Sequence, residues 1–417
     1  MNKMVLSTLV YGLSGSMVAL VPFLLLPFMT RSLSQEEYGL AVFFSAFVAM
    51  LLPFMGFGAT NAIGVRYFQM PAKSFSSYLW SCNAALPLSV LLACIIVWFV
   101  SPNIASLHLI PINWIFMGVL IAGLWGVSQA CGTLLIAKKM PNEYLVINAT
   151  IGVTTIAVTF ISIKYFGFSW TGFAWALFSA HLLAAILSLT ILIFGHSISS
   201  INLEYFSDGI KFGSPIMLHS LSMSLISFFD RMVIAKFLDA EELAKYAVAF
   251  QLGIVISFIA QAFNKAFVPW LYENLKSGSA AAKLSVVRGT YLIFLAIIVV
   301  TGVFCLALES LIFYIAGAEY LEVYPMAVII AFAGAFNAAY LMVVNYIFYA
   351  GKTFILGLVS ASVAILFIVT SIFLTPNFGL VGTSAAFLIA NATLFIAIWL
   401  VASRCYAMPW FSVKLFK

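Results

Sequence analysis

The sequence predicts an all-α membrane protein with twelve transmembrane helices in two six-helix halves, residues 1–200 and 201–417, on three observations. Apolar residues make up 64% of the chain and charged residues only 8%, with a mean hydropathy of +1.14, against about 45–50% apolar and about 25% charged in a soluble domain. A window of about 20 residues per span finds twelve apolar stretches. The turn Thr30-Arg31-Ser32-Leu33-Ser34-Gln35-Glu36-Glu37 returns as Ala235-Lys236-Phe237-Leu238-Asp239-Ala240-Glu241-Glu242, at an offset of 205 residues in a chain of 417. In each copy a basic residue ends one helix, and a small capping residue followed by a Glu pair opens the next. Duplicated halves are a common plan among secondary transporters.

Taken in order, the spans fall at about 8–30, 38–62, 78–100, 110–136, 144–165, 170–194, 212–236, 245–269, 289–314, 324–350, 354–375 and 380–402. Lys3 precedes an apolar run from Leu6 to Met29 that is too long for a signal-peptide core and has no small-x-small cleavage site, so it counts as the first span. Pro22 and Pro27 in the first span, Pro53 in the second, Pro87 in the third and Pro215 in the seventh are points where the backbone can kink. The bent first and seventh helices are expected to be equivalent moving parts. The longest connections, about 195–211 and 271–288, are too short to form a domain.

With the N-terminus inside, the cytoplasmic segments hold 14 of the 19 lysines and arginines, among them Lys3, Arg66, Lys73, Lys138, Lys211, Lys276, Lys283, Lys414 and Lys417. The outer side keeps Arg31, Lys164, Lys236 and Lys245. Both termini are therefore expected in the cytoplasm. The net charge of +6 is mostly this bias, and no nucleic-acid partner is needed to explain it.

The seventh span carries the polar groups that most need an account. Ser220, Ser224, Ser227 and Arg231 recur on one stripe with His219 and Asp230 beside them, while Leu218, Leu221, Leu225 and Phe229 lie opposite. The serine face is expected to look into protein or a water-filled cavity. Asp230 lies roughly 9 Å inside the outer end of its helix. Arg231 projects about 100° away from it, so the two are not expected to neutralise each other in ideal geometry; one should face another helix or a cavity. The eighth span adds Ser257, Gln261, Asn264 and Lys265 near its cytoplasmic end, and the tenth adds Asn337, Tyr340, Asn345 and Tyr346, groups that could serve a sugar or bond between helices.

Soluble-enzyme motifs are absent: the chain has no GxxxxGK[ST], GxGxxG, HExxH or GxSxG. His108, His181, His196 and His219 are scattered and read as single histidines satisfied by hydrogen bonds. Cys82, Cys94, Cys131, Cys305 and Cys405 show no CxxC spacing and read as buried small hydrophobes. No cofactor and no metal is expected.

The run Pro27-Phe28-Met29-Thr30-Arg31-Ser32-Leu33 with Glu36, Tyr38 and Gly39, the run Gly56-Phe57-Gly58 with Asn61 and Arg66, and Asp230-Arg231 with its Glu-rich turn resemble the polysaccharide flippases of the multidrug/oligosaccharidyl-lipid/polysaccharide exporter superfamily, in particular the O-antigen flippase group. One departure is Ala244-Lys245-Tyr246, where a Gly-Tyr pair is more typical. The resemblance implies a bacterial inner-membrane protein that moves undecaprenyl-diphosphate-linked repeat units by alternating access, with membrane lipids around it and a polymerase and chain-length regulator as pathway partners. On that reading Arg31, Asp230, Arg231, Asn264, Lys265, Asn337 and Asn345 are candidates for the substrate pathway, and Arg31, Arg231 and Lys265 for holding a diphosphate. The alternatives are a cation-coupled multidrug exporter of the same superfamily, which should carry more acidic groups in its first half, and a membrane enzyme of polysaccharide assembly, which should carry larger loops. A channel or scaffold is a further alternative.

Overall fold

The computed structural model describes residues 3–100, 109–196 and 198–410, and every element among them is helical. Nine helical runs among the described residues are long and apolar enough to cross a bilayer. His108, Lys414 and Lys417 lie outside the described residues, as do the side chains of Lys3, Lys73, Pro215, Leu218 and His219. The chain forms two compact units, Met1–Ala244 and Lys245–Lys417.

The first unit begins with α1 (Lys3–Ser32) and α2 (Gln35–Leu51). Their turn is held by a reciprocal cap: Ser34 Oγ accepts the Glu37 N–H at 3.2 Å and Glu37 Oε2 accepts the Ser34 N–H at 3.1 Å, satisfying two donors a helix start would leave orphaned. The repeated turn between α9 (Leu203–Phe237) and α10 (Ala240–Gly253) is capped the same way on one side, with Asp239 Oδ1 accepting the Glu242 N–H at 2.8 Å.

The second span, expected as one helix, is broken. After α2 the chain enters a 3-10 segment, Leu52–Asn61, in which Gly56, Phe57 and Gly58 all have positive φ (69°, 51° and 76°), before α3 (Ala62–Gln69) resumes. Unpaired peptide groups at membrane depth are costly, and here they find partners. The Gly56 N–H donates to Ser89 Oγ at 2.8 Å, and Asn61 Nδ2 donates to the Gly58 carbonyl at 3.1 Å. α9 docks on this break through Gly209 and Gly213, one helical turn apart. A Cβ on Gly213 would lie 2.0 Å from the Gly58 carbonyl oxygen, so only glycine permits the approach.

The third span is likewise divided into α4 (Ala72–Asn83) and α5 (Ala85–Val100), with Pro87 unable to donate to the turn before it. Next come α6 (Ile112–Ala137), α7 (Pro141–Lys164) and α8 (Trp170–Gly195); α7 packs on α1 and on α8, α8 on α6, and Ala130, Ala180 and Ala184 join Ala59, Ala62, Ile63, Phe75 and Tyr78 in one buried apolar cluster. The connection expected over 195–211 is mostly helix, because α9 starts at Leu203, where Asn202 Oδ1 accepts the Glu204 N–H at 2.7 Å.

In the second unit the eighth span is divided after Gly253, and α11 (Val255–Ser277) follows α10. The expected connection over 271–288 shrinks to two residues: Gly278 ends α11 in the left-handed region, and Ser279 caps α12 (Ala280–Ile315). α12 buries Thr301, Cys305, Leu308 and Ile312 along one stripe and leaves Leu295, Ile298, Val299, Val303 and Leu306 exposed, as a lipid-facing helix does. After α13 (Tyr324–Tyr349), the helical run α14 (Thr353–Cys405) doubles back at Gly379 (φ 57°, ψ −141°). There the hydroxyls of Thr375 and Thr383 meet at 2.9 Å, which puts the turn between the two spans expected at 354–375 and 380–402.

Two sets of polar contacts tie helices of this unit together. Lys245 pairs with Glu322 at 2.9 Å. Lys283 Nζ donates to the Ala407 carbonyl at 3.2 Å and Tyr406 Oη to the Leu275 carbonyl at 3.0 Å. The five cysteines are free, and Cys82, Cys131 and Cys305 are buried.

Candidate functional site: polar groups at membrane depth

α9 and α2 pack through Phe228 against Phe43 and Phe47, with ring centroids 5.4 and 6.2 Å apart. Two residues on, Asp230 is 1% exposed and Arg231 12% exposed by side chain. The expectation that these neighbours fail to neutralise each other is overturned. Arg231 Nη1 lies 2.7 Å from both carboxylate oxygens of Asp230 and donates to the Ser227 carbonyl at 2.7 Å. The Cα–Cβ bonds diverge as helix geometry requires, but the long arginine stem folds back over the turn. A buried charge pair of this kind offsets much of the cost of placing either ion in a low-dielectric interior. The division of α9 into a serine face and a leucine face is not sharp: Leu225 and Ser227 are both exposed, and Ser220 and Ser224 are half-buried. A serine hydroxyl can bond a carbonyl of its own helix, so a serine stripe does not demand a wet face.

In the second unit Asn345 of α13 is buried and donates through Nδ2 to Asn264 Oδ1 of α11 at 2.9 Å. These two candidates are thus brought together, and Ser257, about two turns earlier on α11, is buried and donates to the Gly334 carbonyl at 3.4 Å. Lys265 and Gln261 are exposed, Asn337 and Tyr340 are half-buried, and Arg31 is exposed in the last turn of α1.

The best-formed charged cluster was not among the candidates. Arg66 of α3 grips Asp208 of α9 with both arms of its guanidinium, Nε to Oδ2 at 3.0 Å and Nη2 to Oδ1 at 2.7 Å. Tyr78 Oη of α4 donates to the same carboxylate at 2.8 Å, Gln69 Oε1 accepts from Arg66 Nη1 at 2.7 Å, and the Phe212 ring lies 5.9 Å under the guanidinium. The Arg66 guanidinium, aided by Tyr78 and the nearby charge of Lys211, holds the Asp208 carboxyl below the usual carboxylate range, against an opposing effect of partial burial. Arg66 belongs to the run Gly56-Phe57-Gly58…Asn61…Arg66 singled out in the sequence, which was the available signal; its partner sits where a loop was expected.

His181 departs from the expectation of a hydrogen-bonded histidine. It is buried and stacked on Trp125 at 4.8 Å, and its Nδ1 has no partner among the described residues. A cavity of about 320 Å³ opens beside Asn113, Trp114, Phe116, Met117, Leu120 and Trp175, none of them charged. Among the described residues no three His, Cys, Asp or Glu side chains gather as a metal site would require.

A family model described as polysaccharide biosynthesis protein matches residues 4–275. The chain is 25% identical over 344 residues to an uncharacterized membrane protein of Haemophilus influenzae, covering 80% of this chain and 81% of that one. Its fold is similar to that of the lipid II flippase MurJ in an inward closed conformation, with a TM-score of 0.74 at 14% identity over 95% of this chain and 87% of that one. It is also similar to an inward-facing multidrug resistance MATE family transporter of the MOP superfamily, with a TM-score of 0.69 at 14% identity over 95% and 93% of the two chains.

Proposed function

The chain belongs to the polysaccharide biosynthesis protein family, and from that premise we propose that it is a flippase carrying lipid-linked polysaccharide repeat units across a bacterial inner membrane by alternating access. The observation that carries this reading is an all-helical membrane fold shared with a lipid II flippase, joined to family membership in polysaccharide biosynthesis. The substrate poses a problem that such a fold can solve. A diphosphate and a set of sugar hydroxyls lose several kcal/mol per group on entering hydrocarbon without partners. A protein lined with polar groups can carry the head group while the polyprenyl tail stays in lipid.

On this reading the unit is O-antigen or a related repeat on undecaprenyl diphosphate, the chain spans the membrane twelve times with both termini in the cytoplasm, and membrane lipids and a downstream polymerase and chain-length regulator are its neighbours in the pathway. The six-helix halves 1–200 and 201–417 are the alternating parts. Arg31, Arg231 and Lys265 are assigned to the anionic groups, Asn264, Asn337 and Asn345 to hydroxyls, and Asp230 keeps Arg231 charge-compensated between transport events. Purified protein in proteoliposomes should move a labelled polyprenyl-diphosphate oligosaccharide between leaflets, and vesicles no more active than protein-free ones would overturn the proposal.

A second reading, a cation-coupled multidrug exporter, is favoured by the fold likeness to a MATE family transporter and by the buried carboxylate of Asp230. Against it, Glu36, Glu37 and Glu143 all lie in the first turns of helices, and the apolar cores of the first six spans contain no Asp or Glu.

A further inference from the structure

The Arg66 cluster has a geometry that a simple structural staple does not require. Three donors, Arg66 Nε, Arg66 Nη2 and Tyr78 Oη, converge on the two oxygens of one carboxylate at 2.7–3.0 Å. Gln69 fixes the remaining arm of the guanidinium, and Phe212 lies beneath its plane. The cluster stays partly open to water, with side-chain exposures of 30% for Arg66 and 40% for Asp208. It stands at the end of α3, just past the glycine-rich break of the second span, on the side where the charge bias puts the cytoplasm.

We propose that Arg66 and Tyr78 form a phosphate-binding site for the incoming substrate, in which the Asp208 carboxylate occupies the oxyanion position until a diphosphate oxygen displaces it. A guanidinium fork matches carboxylate and phosphate equally in shape, and a diphosphate brings more negative charge than a carboxylate. The carboxylate partner of Arg231 is 1% exposed, where Asp208 is 40% exposed, so the Arg66 site is the more accessible to an incoming anion. Asp208 also serves as a filter: with Arg66 already paired, weakly charged solutes gain nothing by entering. Displaced, it is left beside Lys211, whose charge reaches it in the resting arrangement. This inference rests on the flippase reading for its substrate, though not for the existence of the site.

The test is anion binding by the purified full-length protein in phosphatidylcholine nanodiscs, using inorganic pyrophosphate as the soluble probe and nanodiscs doped with a polyprenyl diphosphate as the lipid-borne one. Asp208→Asn removes the competing charge and should tighten pyrophosphate binding about tenfold, the scale of one charged hydrogen bond. Arg66→Lys in the same background should abolish that gain, since a lysine cannot present the fork. Should Asp208→Asn fail to fold, Tyr78→Phe and Arg66→Lys alone carry the test, and each should weaken binding of both probes about fivefold or more. Unchanged pyrophosphate binding in Asp208→Asn or in Arg66→Lys overturns the site, as does binding of the lipid-borne probe that is indifferent to Arg66. Loss of the site with transport intact leaves the flippase reading standing; binding intact with no transport removes that reading and leaves the anion site.

Discussion

Gly39, five residues into α2, lies directly against the backbone of Ala240 at the start of α10: a Cβ on Gly39 would come within 1.8 Å of the Ala240 carbonyl oxygen and 3.2 Å of the Ala244 nitrogen. The two capped turns related by the 205-residue offset therefore touch, and Gly39 and Ala244 are themselves equivalent under that offset. The obstructing atoms are backbone and cannot swing aside. Gly39→Val should cost about 1–3 kcal/mol through overpacking, read as a lower thermal midpoint and less protein in the membrane. Wild-type stability in that variant would mean the two turns are not packed as described.

Removing one member of the Asp230–Arg231 pair leaves the other charged and buried. Arg231→Ala should destabilise by about 3–5 kcal/mol, seen as reduced membrane abundance, and Asp230→Asn in the same chain should restore abundance. If Arg231 also meets the substrate, the doubly substituted protein will be abundant and inactive in transport, whereas Arg231→Lys will keep part of the activity. Full transport by the double variant would confine the pair to a structural role.

The Asp208 carboxyl is depressed in the folded protein chiefly by the Arg66 hydrogen bonds, with Tyr78 and Lys211 adding to the effect. A depressed acid contributes stability that is fully present above its unfolded value, about 3.9, and that is lost as pH falls through the folded value. The thermal midpoint of Asp208→Asn should therefore lie below wild type from neutrality down to about pH 5 and converge with it in stronger acid. A gap that persists or widens in acid would contradict the assigned protonation state.

Interhelical amide bonds inside membranes are worth about 0.6 kcal/mol on average and rarely above about 1.7. Asn345→Leu, which breaks the bond to Asn264, should thus shift stability little. If the pair lines the substrate path, transport should fall far more than abundance does. Parallel, small losses in both would make it a packing bond only.

Lys276 and Lys283 should face the cytoplasm, and Glu319 and Glu322 the opposite side. Single cysteines at these four positions, in a chain freed of its own five cysteines, should react with an impermeant thiol reagent in intact cells only at 319 and 322. Labelling at 276 or 283 would invert the topology.

How much of this was legible in the sequence depended on whether the cause was local. The Ser34 and Asp239 caps could be read directly, because a cap is set by residues two or three positions away. The hairpin at Gly379 fell where the apolar pattern paused. The break at Met55–Gly58 was hidden, since a hydropathy window sees only apolar residues and not that Gly56, Phe57 and Gly58 turn left-handed. The Arg66–Asp208 pair was hidden for a different reason: its members are 142 positions apart, one counted as a topogenic charge and the other assigned to a loop that is in fact the first turns of α9. The Asp230–Arg231 pairing was misjudged because side-chain reach, and not the angle between Cβ atoms, decides whether neighbours on a helix can meet.

The central claim is tested most directly by locating lipid-linked repeat units, leaflet by leaflet, in cells that lack this protein. The flippase reading predicts completed units trapped on the cytoplasmic leaflet and no long surface polysaccharide, both reversed when the wild-type chain is supplied. Completed units found in the outer leaflet, or units left unfinished on the inner one, would contradict it.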